Sequence, residues 1–145
     1  MVSERNGNIG RFSVEVEIAN PFDLRLAATG QLPADQVRRC SMRGVVDTGA
    51  TRFVLPERVA QELGLEEVGE TGVRYADGRV AQRKMAGPVQ LAYMGRRGVF
   101  TALIEPERES PLMGAIVLED LDLIADCTQQ TLRPRDPNQI ISEVE

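Results

Sequence analysis

The stretch Val45-Val46-Asp47-Thr48-Gly49-Ala50-Thr51 holds the residues whose types and spacing could do chemistry. Two β-branched residues bring a carboxylic acid to the end of a strand, and a glycine follows two positions later. Amide hydrolysis by carboxylates needs such a delivery. The acid must stand where water and substrate both reach it, held by nearby backbone N–H groups. Glycine at 49 lets the chain turn tightly and lets its N–H approach the carboxylate closely. The Thr48 hydroxyl both donates and accepts, so it can lock the loop to a neighbouring copy. The ordinary alternative is an Asp-Thr-Gly turn in which the acid only bonds its own backbone.

The absences leave few other chemistries. None of the 145 residues is histidine, which removes Ser-His-Asp and Cys-His catalysis and every histidine-containing zinc site. No G-x-x-x-x-G-K-[ST] or G-x-G-x-x-G phosphate loop is present, and no cofactor is expected. Carboxylates are left as the leading acid–base groups. Asp120, Asp122 and Asp126 lack the spacing and the glycine of a calcium loop, so they read as a solvated helix-to-strand edge and no metal is expected. A formal net charge of −5 without a basic stripe argues against a nucleic-acid partner. The adjacent pairs Arg38-Arg39 and Arg96-Arg97 read as solvated loop or strand-edge charges. Two cysteines, Cys40 and Cys127, make neither a disulfide framework nor a metal spacing and read as reduced, partly buried thiols. No apolar run approaches the ~20 residues of a membrane helix, and Met1 to Gly7 lacks the apolar stretch of a signal peptide. The expectation is a cytoplasmic protein, or a soluble domain excised from a longer precursor.

The elements that must position Asp47 are mostly strands. Phe12, Val14, Val16 and Ile18 alternate with polar residues, the period of a half-buried strand. Asn20-Pro21 breaks it, and Phe22, Leu24 and Leu26 repeat the alternation, predicting a hairpin. Gly30 to Asp35 reads as a loop, and Val37 to Val46 as the strand that ends at Asp47. Pro56 to Gly64 predicts a helix with proline at its start, early acid and glycine at its end. Leu55, Val59 and Leu63 give it one apolar face, which is core. Val73 to Val80 carries Asp77-Gly78, a tight-turn pair between extended arms. Pro88 to Tyr93 and Val99 to Ile104 read as strands joined through a Gly95-Arg96-Arg97-Gly98 turn. A second short helix is predicted between Ala115 and Leu121. Residues 1–10 and 134–145 are expected to be flexible, the latter unless a partner chain ties them down, with one domain over residues 11–133.

Asp47-Thr48-Gly49-Ala50 after paired valines resembles the active-site signature of the retropepsin-like aspartic peptidases, including their bacterial members. The order of the surrounding segments supports the resemblance. Phe53-Val54-Leu55-Pro56 and a short helix ending Leu63-Gly64-Leu65 come next. Tyr75-Ala76-Asp77-Gly78-Arg79 then stands where the family has its flap. Leu112-Met113-Gly114 and a short helix resemble the second conserved turn, which packs beneath the catalytic loop. The resemblance implies a mostly β fold, a closed barrel forming half of an acid protease, with two short helices. It implies that Asp47 is the catalytic acid and that the Thr48 hydroxyl bonds across a two-fold axis. Gly49 and Ala50 would support the carboxylate, and Tyr75, Ala76, Asp77 and Gly78 would lie over the substrate backbone. Ala115 departs from the family, where many members place Arg, Asn or Asp directly after the second glycine.

One carboxylate cannot take a proton from water and give one to the leaving nitrogen in the same geometry, whereas two about 3 Å apart share a proton and can. With a single such triplet, the second acid must come from symmetry. The reading is therefore a homodimeric aspartic endopeptidase acting on an extended peptide or protein. The second reading, from another class, is a non-catalytic dimerisation or peptide-binding module on the same fold.

Overall fold

In the computed structural model, which describes residues 11–145, the alternating residues from Phe12 to Ile18 form β1 (Arg11–Ala19). Phe12, Val16 and Ile18 are buried. β1 pairs antiparallel along its whole length with β2 (Arg39–Asp47), from Ala19 opposite Arg39 to Arg11 opposite Asp47. There follow β3 (Phe53–Pro56), β4 (Glu66–Arg74), β5 (Val80–Tyr93), β6 (Arg96–Glu105), β7 (Leu112–Met113), β8 (Leu123–Asp126) and β9 (Thr131–Pro134). The helices are α1 (Pro21–Ala28), α2 (Glu57–Glu62) and α3 (Ala115–Asp120).

The strands run in the order β1-β2-β7-β3-β6-β5, and β5 pairs back onto β1, which closes a six-stranded barrel. Closure rests on the length of β5. Its first part, Val80 to Gly87, pairs with β4. Beyond an irregularity that spans Pro88, Gln90 to Ala92 pair with Ala19 to Glu17 of β1. Pro88 has no N–H to give to a ladder, so it suits the point where the neighbour changes. Inside lie Ile18, Val46, Phe53, Leu55, Val89, Leu91, Met113, Val117 and Leu121, all 1% exposed or less. Each such side chain contributes roughly 1.5–3 kcal/mol by leaving water. Phe53 and Phe100 meet edge to face with centroids 5.8 Å apart.

Three local expectations are corrected. Phe22, Leu24 and Leu26 form helix α1, not a hairpin strand. Asn20 Oδ1 accepts from Phe22 N at 2.9 Å and Asp23 N at 3.2 Å, and Pro21 occupies the first turn. The dipeptide read as a breaker is thus a helix cap followed by a proline suited to that position. Phe22 and Leu26 are exposed, so their alternation reported no buried face. Second, the β5–β6 connection is the two residues Met94 and Gly95, with φ of 49° and 79°, and Arg96 to Gly98 already belong to β6. Two positive φ values match the twist of a two-residue hairpin loop. Third, Arg96 is buried. Its guanidinium donates to the carbonyls of Leu121 and Asp122, both at 2.9 Å, and to those of Asp136 and Gln139. The carbonyls at the end of α3 and in the chain after β9 replace the water that a strand-edge arginine would have.

Beyond β9, Arg135 pairs with Asp122 at 2.7 Å and the Ile141 N–H donates to the same carboxylate. The expected flexible residues 1–10 lie outside the described residues. Cys40 and Cys127 are free and half-buried, and burial raises the Cys40 thiol above its ordinary range.

Candidate active site

Asp47 is the last residue of β2, directly after the fully buried Val46. Its neighbour on the far side is β7, only two residues long, which runs parallel to β2 (Val46 opposite Met113) and antiparallel to β3 (Phe53 opposite Met113). β7 is therefore wedged between the two strands that the 48–52 loop connects. The loop crosses over the end of β7 and rests on the start of α3. Gly114 N donates to Arg52 O at 3.0 Å, Ala115 N to Ala50 O at 2.8 Å, and Ile116 N to Thr51 O at 3.0 Å. Three N–H groups that α3 could not satisfy internally thus meet three carbonyls of the loop.

This contact explains Gly114. A Cβ there would come within 2.7 Å of Ala50 O, Arg52 O and Thr51 C, all backbone atoms that cannot swing aside. It also bears on Ala115, whose backbone N–H braces the helix directly on the loop. At Gly49 the demand is weaker: an added Cβ would meet Asp47 Oδ1 at 3.4 Å, an ordinary contact.

The Asp47 side chain is 21% exposed. Oδ1 accepts from Gly49 N at 2.9 Å, and Ala50 N donates to Asp47 O at 3.1 Å, so the carboxylate caps its own turn while one face stays open. Thr48 and Gly49 are exposed and Ala50 is half-buried. Arg11 Nε stands 3.8 Å from Asp47 Oδ2. Arg108 belongs to the same surroundings. Burial, then the charge of Arg11, lowers its guanidinium from the ordinary value, opposed by Glu105 and Asp47. Its Nε donates to Ser110 O at 2.6 Å. Neither arginine was picked out in the sequence. Arg11 is found only by pairing β1 with β2, which sets it opposite Asp47, and Arg108 has no periodic signal.

The second predicted group, Tyr75 to Gly78, forms the tip of the β4–β5 hairpin. Tyr75 N donates to Arg79 O at 2.8 Å and Gly78 N to Tyr75 O at 2.9 Å, with Gly78 at φ 89°. Asp77 accepts from Arg79 N at 3.0 Å and Arg79 Nε at 2.8 Å, which holds its carboxyl below the usual range. The tip's side-chain hydrogen bonds run to Arg79 and, through Tyr75, to Glu105, not to Asp47. Among the described residues no group of three or more His, Cys, Asp or Glu is placed to hold a metal ion. No helix among them is long and apolar enough to cross a membrane.

Comparison with known proteins gives a family and a fold. The sequence model of a family described as "gag-polyprotein putative aspartyl protease" matches residues 36–120, which include Asp47, the hairpin tip and all of α3. Among solved structures, the chain is similar to the EIAV protease complexed with the inhibitor HBY-793. The TM-score is 0.55 at 19% identity, over 77% of this chain and 88% of that one. The likeness is one of fold, a retropepsin fold. No curated protein matches.

Proposed function

The chain belongs to this aspartyl protease family, and from that premise we propose that it is a homodimeric aspartic endopeptidase in which each copy supplies Asp47 to one shared site. The observation that carries the reading is the state of the Asp47 loop. A partly open carboxylate sits at a strand end on a loop braced from beneath by α3, with Thr48 and Gly49 facing outward.

Two such loops related by a two-fold axis bring like carboxylates about 3 Å apart, where one proton is shared between them. The ionised partner takes a proton from a water molecule, whose oxygen attacks the scissile carbonyl carbon. The protonated partner gives its proton to the carbonyl oxygen, and the carbonyl collapses to a tetrahedral diol. The carboxyl that took the water proton then gives it to the nitrogen, while a diol hydroxyl gives its proton to the other carboxylate. The C–N bond breaks to carboxylic acid and amine, and the pair again holds one proton. Gly49 N–H holds the carboxylate in register, and the Thr48 hydroxyl is free to bond its symmetry mate. The hairpin tip Tyr75-Ala76-Asp77-Gly78 lies over the backbone of an extended peptide, which pairs as a strand would and is read by side-chain pockets.

The test is a peptide-library cleavage assay with a statine-type inhibitor, which mimics the tetrahedral diol and binds tightly only where a competent pair exists. Cleavage that the inhibitor blocks supports the reading. Peptide binding without cleavage would instead make the chain a binding module on the same fold.

A further inference from the structure

The β4–β5 hairpin leaves the barrel at a definable point. Pairing between β5 and β6 stops at Met85 opposite Leu103, while pairing between β4 and β5 runs on to Arg74 opposite Val80. From Lys84 outward the arm is a two-stranded ribbon whose residues are exposed or half-buried. Such a ribbon has little stability or fixed direction of its own. Its direction must come from side chains.

Those side chains converge on Glu105, the last residue of β6. Two residues past the end of the ladder on each strand, Arg83 Nε donates to Glu105 Oε1 at 2.9 Å. From the tip, Tyr75 Oη donates to Glu105 Oε2 at 2.6 Å. Each carboxylate oxygen thus holds one point of the arm, one at its root and one at its end. The guanidinium groups of Arg79 and Arg83 lie 4.8 Å and 5.7 Å from the centre of the Tyr75 ring. The Glu105 and Arg83 side chains are 18% and 27% exposed, which shields the pair from solvent screening.

We propose that Glu105 is the latch of the hairpin arm, a positioning residue that holds Tyr75 and Arg83 together and releases them when an extended peptide enters beneath the tip. The role in peptide entry rests on the hairpin covering the substrate, as argued under Proposed function; the latch itself does not. Burial, then the Glu105 carboxylate, pushes the Tyr75 phenol above the usual tyrosine range, which provides a spectroscopic handle.

The test uses the full chain with Glu105→Ala, Glu105→Gln, Tyr75→Phe and the Glu105→Ala/Tyr75→Phe pair. Amide hydrogen exchange of residues 75–79 is measured, with tyrosinate absorbance in a Tyr93→Phe background. Glu105→Ala is expected to speed exchange at the tip roughly three- to tenfold, the size set by partly exposed hydrogen bonds to a charged group. Glu105→Gln, which keeps an acceptor for Tyr75, is expected to fall between. The double variant should exchange no faster than Glu105→Ala alone, since one latch is broken only once. The phenol should titrate closer to free tyrosine in Glu105→Ala, and KM for a cleaved peptide should fall severalfold with kcat little changed, since entry no longer has to break the latch. Unchanged exchange at 75–79 would overturn the latch, and faster exchange with unchanged KM would overturn its role in peptide entry. If Glu105→Ala does not fold, Glu105→Gln and Tyr75→Phe decide the same two points. A wild-type chain that neither binds nor cuts peptides defeats the functional reading, while the exchange result still decides the latch.

Discussion

Asp47 has a single direct hydrogen-bond donor of its own loop on Oδ1 and an arginine near Oδ2, which fixes its direction without closing its face. Asp47→Asn keeps the shape and the Gly49 contact but cannot share a proton with its mate. Peptide cleavage should fall by at least about 10³-fold, within the range of general acid–base catalysis, with the melting temperature and dimer retained. Full activity in that variant would remove the mechanism. Asp23 supplies a second test at this scale, unconnected with catalysis. It is buried at the first turn of α1, and Arg38 reaches it with Nε at 2.8 Å, Nη2 at 3.0 Å and its backbone N–H at 3.0 Å. These bonds hold the Asp23 carboxyl below its usual range. A lowered folded-state pKa stabilises the fold above the unfolded value of about 3.9 and ceases to do so as pH falls through the folded value. Asp23→Asn should therefore melt lower than wild type at pH 7, and the gap should close in acid. A gap that stays constant down to pH 2 would show that the pair contributes nothing through its charge.

At the scale of elements, the arrangement that matters is α3 set against the 48–52 loop. A six-residue helix has little stability alone, and most of what holds it comes from Val117 and Leu121 in the core and from the three N–H groups given to the loop. Gly114→Ala places a methyl within 2.7 Å of fixed backbone, so either the helix or the loop must move. Overpacking of this kind costs typically about 1–3 kcal/mol. The expected outcome is a lower denaturant midpoint together with faster amide exchange at residues 114–116. Cleavage should fall further than stability alone explains, because the loop carries Asp47. Wild-type stability and exchange in Gly114→Ala would mean that the close approach has no energetic weight.

At the scale of the whole molecule, the proposed two-fold dimer can be tested by dilution. The barrel closes within one chain through β1 and β5, whereas the proposed chemistry needs two chains. Specific activity should therefore fall on dilution, tracking the loss of dimer by sedimentation, whereas the circular dichroism of the chain changes little. Activity that stays constant per chain where sedimentation finds only monomer would defeat the shared site. The same pairing predicts a bell-shaped rate profile on the acid side of neutrality, since one limb ionises the first carboxyl and the other removes the shared proton. A rate still rising above pH 9 would contradict it.

Much of this was legible in one dimension. Alternation at Phe12 to Ile18, the glycines after Asp47 and Asp77, and the proline-led helix after Leu55 are local patterns, because the strand and turn periods are properties of a few consecutive residues. The strand that delivers Asp47, the hairpin and the two helices at 57–62 and 115–120 follow from them. Where one local pattern misled, a competing local cap or a distant group had decided. Phe22 and Leu26 alternate like strand residues, yet the Asn20 cap and the Asp23 pairing with Arg38 make a helix there. Arg96 looks like a surface charge, yet carbonyls 25 to 43 residues away enclose it. Arg11 beside Asp47, Gly114 beneath the loop and Glu105 between Arg83 and Tyr75 are likewise contacts between residues far apart in sequence. Which elements form is set mainly by neighbours along the chain, whereas which side chains meet is set by barrel closure, and only the folded molecule contains that information.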